Sequence, residues 1–146
     1  MIRESFSEED TLRIGRELGE TVRPGEMYLL EGDLGTGKTV IAKGFAQGLG
    51  IDEPVTSPTF TIIQEYTEGR IPFYHFDVYR IADVEEMYEL GYENYFFGEG
   101  VCLIEWASLI REIIPADAGT ITIEKDPRRG FDYRRITISD QEGDLA

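Results

Sequence analysis

Residues 32–39 read Gly-Asp-Leu-Gly-Thr-Gly-Lys-Thr, an instance of the pattern G-x-x-x-x-G-K-[ST]. They directly follow Met27-Tyr28-Leu29-Leu30-Glu31, which predicts a buried strand. This order limits the fold more than any other stretch, because a strand, a tight glycine-rich turn and a helix must follow one another. The glycines let successive backbone N–H groups turn toward one anion. Lys38 then reaches the β- and γ-phosphates of a nucleotide, and the Thr39 hydroxyl ligates Mg²⁺. The helix that follows adds the positive end of its dipole. The bland alternative is a glycine-rich turn with an idle lysine, which the strand-before, helix-after setting disfavours. Gly35-Thr36-Gly37-Lys38-Thr39-Val40 lacks the third glycine of a dinucleotide fingerprint, so a Rossmann reading is excluded.

With 146 residues, 41% of them hydrophobic, the chain can bury one core. A single domain over residues 1–139 is expected, with 140–146 as a frayed acidic tail. Lysine and arginine number 14 against 29 acidic residues, a formal charge of −15. Such a surface argues against extensive direct contact with nucleic acid, whose backbone is bound by basic side chains that release counterions. It does not argue against ATP, since screening over about 8 Å leaves local groups such as Lys38 and Mg²⁺ in control. No apolar run approaches the roughly 18 residues of a membrane span, and the N-terminus shows no signal-peptide core, so no membrane contact and a cytoplasmic location are expected. Cys102, the single cysteine, lies within Val-Cys-Leu-Ile and reads as a small buried hydrophobe, which excludes an internal disulfide.

The remaining pattern predicts a strand at 2–5 and a helix capped by Ser7, with Asp10 three residues on, ending at Arg23-Pro24-Gly25. A helix over 38–47 stops at Gly48-Leu49-Gly50. Residues 60–66 and 71–76 form an antiparallel hairpin, with Pro72 at an edge or at the strand's start. Asp83 caps a short helix, a second helical piece carries Tyr92, Tyr95 and Phe96, and 106–114 is helical up to Pro115. Residues 101–104 are uninterruptedly apolar, as in a central parallel strand. Residues 120–124 and 135–138 alternate as strands around a loop at 125–130.

A phosphate-binding loop of this type needs a second acidic group for the Mg²⁺ shell, normally an aspartate at a strand end. Glu105, after Val101-Cys102-Leu103-Ile104, is the candidate; the competing reading is a strand-end carboxylate facing solvent. His75, Asp77 and Tyr79 alternate with apolar residues and are expected to share a face. There Asp77 orients water or an outer Mg²⁺ ligand and His75 hydrogen-bonds behind it, unless the polar tips merely satisfy one another. Arg80 is either an internal charge stabiliser or a partner for a carboxylate. Ser57-Pro58-Thr59-Phe60 reads as an ordinary turn into a strand in preference to a γ-phosphate sensor. Lys125, Arg128 and Arg129 are read as keeping a hairpin soluble in preference to closing over ATP.

Taken together, Gly-Asp-Leu-Gly-Thr-Gly-Lys-Thr at 32–39, Ser-Pro-Thr-Phe at 57–60, His-Phe-Asp-Val-Tyr-Arg at 75–80 and Leu-Ile-Glu-Trp at 103–106 resemble the TsaE family. This is the ATPase subunit, formerly YjeE, of the bacterial machinery for tRNA threonylcarbamoyladenosine. The resemblance implies an α/β, three-layer P-loop NTPase-like fold with a mixed, mainly parallel central sheet and an antiparallel hairpin. It implies ATP and Mg²⁺ as ligands and TsaB and TsaD as partner subunits. It makes Gly35, Thr36, Gly37, Lys38, Thr39 and Val40 phosphate contacts, Thr39 and Glu105 the Mg²⁺ positions, and Asp77 a nucleotide-site residue. Glu8, Thr11 and Gly130 are placed near the adenosine. Lys38, Asp77 and Glu105 are thus the expected catalytic set, in an ATPase that is slow alone and drives its partners. A small-molecule kinase and a non-hydrolytic nucleotide-sensing adaptor stay open. A GTPase is disfavoured by the lack of an Asn-Lys-x-Asp motif.

Overall fold

The computed structural model describes residues 1–33, 35–56, 58 and 61–139. In chain order the elements are β1 (Ile2–Ser5), α1 (Glu8–Thr21), β2 (Met27–Gly32), α2 (Lys38–Gly48), β3 (Ile63–Tyr66), β4 (Phe73–Asp77), α3 (Glu85–Leu90), α4 (Tyr92–Phe96) and β5 (Val101–Glu105). A 3₁₀ segment, Ala107–Ile113, then precedes β6 (Gly119–Lys125) and β7 (Arg134–Ser139).

Local chemistry accounts for most of these boundaries. The Ser7 hydroxyl accepts from Asp10 N at 3.1 Å, and the Asp10 carboxylate accepts in return from Phe6 N, so two donors at the start of α1 are satisfied reciprocally. Glu8, Glu9 and Asp10 also place negative charge at the positive end of that helix. β4 begins one residue after Pro72, which has no N–H to give to a ladder. β3 is shorter than expected: Thr61 and Ile62 both donate to Pro58 O in a turn, with Ile62 at φ 69°. Phe60, Ser57 and Thr59 lie outside the described residues, as does the expected tail at 140–146. The stretch at 106–114 is not one α-helix. It opens at Trp106 in the left-handed region (φ 64°) and is broken at Ile110 (φ −127°), leaving 3₁₀ turns.

Among the described residues the strands lie in one sheet in the order β1-β7-β6-β2-β5-β4-β3. β6, β2, β5 and β4 are joined by parallel ladders, whereas β1, β7 and the β3–β4 hairpin add antiparallel ones at the flanks. The sheet is mixed as expected, with its parallel character concentrated in the centre. One apolar layer joins Leu30, Phe45, Phe73, Leu103 and Ile121 beneath α1 and α2. The other joins Met27, Phe76, Met87, Phe96 and Ile104 beneath α3, α4 and the 3₁₀ segment, which makes three layers. Each such fully buried side chain stabilises the fold by about 1.5–3 kcal/mol. Cys102 is buried in this second layer, and that burial pushes its thiol up to about 12.

α1 and α2 touch backbone to backbone. A Cβ added at Gly44 would lie 2.2 Å from Leu12 O, and one at Gly19 would lie 2.2 Å from Phe45 O. The glycines are spaced four apart on each helix (15 and 19, 44 and 48), so they form one stripe per helix. We therefore expect Gly44→Ala to destabilise the protein by about 1–3 kcal/mol despite alanine's better helix propensity, because the methyl group must push the helices apart. Urea unfolding measures this. A midpoint equal to or above that of the unaltered chain would contradict the close approach.

Candidate functional site

Register aligns three strand ends. Leu30 of β2 pairs with Glu105 of β5, which pairs with Asp77 of β4, so the loop leaving β2 departs beside both carboxylates. In open α/β sheets this edge, outside the carboxyl ends of the strands, is where ligands bind. Side-chain alternation then selects the face. Phe73 of β4 and Val101 and Leu103 of β5 belong to the layer under α1 and α2, so His75 and Glu105, two residues further along, point to the same side. Lys38 opens α2 directly above them.

The result is a nearly buried set of three charged or polar groups. Lys38 Nζ lies 3.8 Å from Glu105 Oε1, and His75 Nε2 lies 2.8 Å from Glu105 Oε2. The Lys38, Glu105 and His75 side chains are 11%, 8% and 1% exposed. Lys38 Nζ also sits 4.7 Å from the centre of the Trp106 ring, a cation–π contact, and the Tyr79 ring packs on Trp106 at 4.9 Å. Glu105 is thus turned inward and does not face solvent.

The glycine-rich turn is held from below. The Thr36 hydroxyl donates to Asp33 O at 2.7 Å, and Gly37 begins α2 at φ 112°, a conformation in which a side chain would be strained. Arg134 Nε donates to Thr36 O at 2.8 Å while its Nη1 holds Phe131 O and Tyr133 O, tying β7 to the turn. Beside the turn lies a cleft of about 160 Å³ lined by Glu8, Thr11, Gly35, Thr36, Gly37 and Val40, together with Ser7, Asp132 and Arg134. Glu8 and Thr11 are therefore brought to the glycine-rich turn from α1. Thr11 is fixed there: Ser5 Oγ donates to Ser7 O, so at 2.6 Å the Thr11 hydroxyl must be the donor to Ser5.

Other expected residues fall elsewhere. Gly130 ends a 3₁₀ turn and is not among the residues lining the cleft; its neighbours Asp132 and Arg134 are. β4 stops at Asp77, so Tyr79 does not continue the strand face with His75 and Asp77, and it is exposed. Asp77 is buried; its N–H donates to Ile62 O at 2.8 Å and its carboxylate accepts from Tyr79 N at 3.0 Å. In the basic loop Arg129 pairs with Glu4 at 2.9 Å and covers the Tyr133 ring. Arg128 hydrogen-bonds Asp126, holding that carboxyl below the usual carboxylate range. Lys125 alone of the three approaches the turn, its Nζ 3.7 Å from where a Cβ of Gly35 would stand. Thr39 is exposed on the first turn of α2.

This chemistry fits a metal–nucleotide ligand. The glycine-turn N–H groups and the Lys38 ammonium are donors that would suit phosphate oxygens, and the Thr39 hydroxyl and Glu105 carboxylate are oxygen donors of the type that would suit Mg²⁺. Among the described residues no cluster of three or more His, Cys, Asp or Glu side chains would hold a metal alone.

Strand, glycine-rich turn, Lys-Thr helix start and neighbouring strand-end carboxylate, set in three layers, define a protein of the P-loop NTPase-like fold. The chain belongs to the TsaE family: the family model described as "Threonylcarbamoyl adenosine biosynthesis protein TsaE" matches residues 5–136. It is 50% identical over 131 residues to the tRNA threonylcarbamoyladenosine biosynthesis protein TsaE of Bacillus subtilis (strain 168), covering 90% of this chain and 80% of that one. The protein of the same name from Treponema pallidum (strain Nichols) is 42% identical over 119 residues, covering 82% of this chain and 87% of the relative. The crystal structure of B. subtilis YdiB is similar with a TM-score of 0.79 at 42% identity, over 94% of this chain and 83% of that chain.

Proposed function

We propose that this chain is an Mg-ATP-binding, slowly hydrolysing ATPase that acts in tRNA N⁶-threonylcarbamoyladenosine biosynthesis by driving a complex with TsaB- and TsaD-like subunits. The observation that carries the reading is the meeting of Lys38 and Glu105, 3.8 Å apart, at the strand ends beneath the glycine-rich turn. The pathway rests on the names of the relatives.

In this reading the backbone N–H groups of residues 35–39 face the phosphates, and Lys38 leaves Glu105 to balance their charge. Thr39 and Glu105 would hold Mg²⁺, whose chemistry there would be to neutralise charge developing on the phosphoryl oxygens. Asp77, at the neighbouring strand end, positions water from its backbone-tethered carboxylate. Glu8, Thr11 and the cleft beside the turn take the adenosine side. A slow rate alone is the behaviour of a site that its partners complete: an arginine finger supplied in trans is worth about 10³–10⁵ in rate. The acidic surface leaves tRNA handling to the partners. Among the described residues no helix is long and apolar enough to cross a membrane.

Repeated rounds of tRNA modification with the partner subunits test the proposal. ATP should support many rounds and a non-hydrolysable analogue should not. Undiminished multiple turnover with the analogue would make the chain an adaptor, and phosphate transfer to a metabolite would make it a kinase.

A further inference from the structure

His75 is the chain's single histidine, and it is 1% exposed. Its ring lies against Phe73 with centroids 5.8 Å apart and planes 12° from parallel, so its orientation is fixed by the core layer under α2. From that seat Nε2 reaches Glu105 Oε2 at 2.8 Å. An ionised carboxylate only accepts, so the proton of this bond is on Nε2, and in the neutral ring Nδ1 is then a lone pair. Nδ1 is buried with no hydrogen-bond partner among the described residues. The opposite tautomer would bury an unpaired N–H there and set a lone pair against the carboxylate, losing on both sides. The surroundings therefore select one donor aimed at one oxygen.

We propose that His75 is a positioning residue for Glu105: it commits Oε2 and presents Oε1 as the oxygen that exchanges Lys38 for Mg²⁺. The inference rests on the reading of Glu105 as a metal-holding group. Glutamate is longer than the aspartate usual at such a strand end and has one more torsion to fix. A buried donor 2.8 Å away supplies that fixing, as hydrogen-bond partners of metal-ligating carboxylates do elsewhere. Oε1, by contrast, faces the Lys38 ammonium at 3.8 Å, a looser and replaceable contact.

The test is an Mg²⁺ titration of ATP binding to the full chain, read by the fluorescence of Trp106, the single tryptophan, which adjoins Lys38. His75→Phe keeps a ring on Phe73 and loses the donor; His75→Gln retains one. Under this proposal His75→Phe needs about 10–100-fold more Mg²⁺ to reach full affinity, with Mg²⁺-free ATP affinity unchanged, and His75→Gln recovers much of the shift. A folded His75→Phe chain with the parent Mg²⁺ requirement overturns it, as does an equal loss of affinity with and without Mg²⁺, which marks a merely structural role. Should His75→Phe not fold, His75→Asn, too short to reach Oε2 from the same backbone, is judged by the same criteria. Glu105→Gln separates the two levels: if it also leaves the Mg²⁺ requirement unchanged, the metal role of Glu105 falls; if it alone shifts the requirement, only the positioning role falls.

Discussion

Lys38→Ala is expected to lower kcat/KM for ATP hydrolysis by about 100-fold or more while leaving the fold intact. Removing one preorganised electrostatic donor from a site where charge develops costs about 10²–10³ in rate, and the Lys38 ammonium, only 11% exposed, is poorly screened by water. In the chain without nucleotide the same ammonium faces Glu105 and the Trp106 ring, so the variant also strips a cation from a nearly buried carboxylate. His75 remains on the other oxygen of that carboxylate and limits the structural damage. Steady-state hydrolysis and equilibrium ATP binding, with thermal unfolding as a control, measure the effect. Unchanged affinity together with an unchanged rate would exclude Lys38 from the phosphates.

Glu105→Gln should separate metal from nucleotide. At ordinary Mg²⁺ concentrations hydrolysis is expected to fall about 100-fold, because an uncharged amide is a poor partner for a hard cation. Without Mg²⁺, ATP should bind at least as tightly as to the unaltered chain. The substitution removes a negative charge that repels the phosphates, and it releases Lys38 from a competing partner. At about 4 Å that repulsion is on the order of 1–4 kcal/mol for effective dielectrics between 80 and 20. Opposite signs with and without Mg²⁺ are the mark of a metal-holding carboxylate. A loss of equal size in both conditions, or full activity at ordinary Mg²⁺, would contradict the assignment.

Much of the site was legible because its information is local. Val101-Cys102-Leu103-Ile104 could only be a strand buried on both faces, and it fixed where Glu105 emerges. The glycines at 35 and 37 with Lys38 marked the turn from β2 into α2, and Ser7 with Asp10 marked the start of the helix that brings Thr11 to the turn. What escaped depends on contacts between distant segments. The glycine spacing in α1 and α2 is visible in the chain, but only the packed helices show that Gly44 meets Leu12 O. Arg134 looks like any alternating strand residue until β7 is placed beside β6 and its guanidinium reaches Thr36 O, 98 residues away. The alternation of His75, Asp77 and Tyr79 carried no sign that the strand ends at Asp77, since the Tyr79 N–H turns back to the Asp77 carboxylate. By its position before an apolar run Trp106 suggests a helical start. Its left-handed backbone sets the ring beside Lys38, and periodicity cannot reveal that.

The most direct test of the proposed Mg-ATP site, completed by the partners that it drives, is the steady-state rate of ATP hydrolysis by this chain, alone and with TsaB- and TsaD-like subunits, with and without Mg²⁺. The predicted result is slow, Mg²⁺-dependent turnover alone that rises when the partners are added. Rapid turnover by the isolated chain, unaffected by partners or by removal of Mg²⁺, would contradict it.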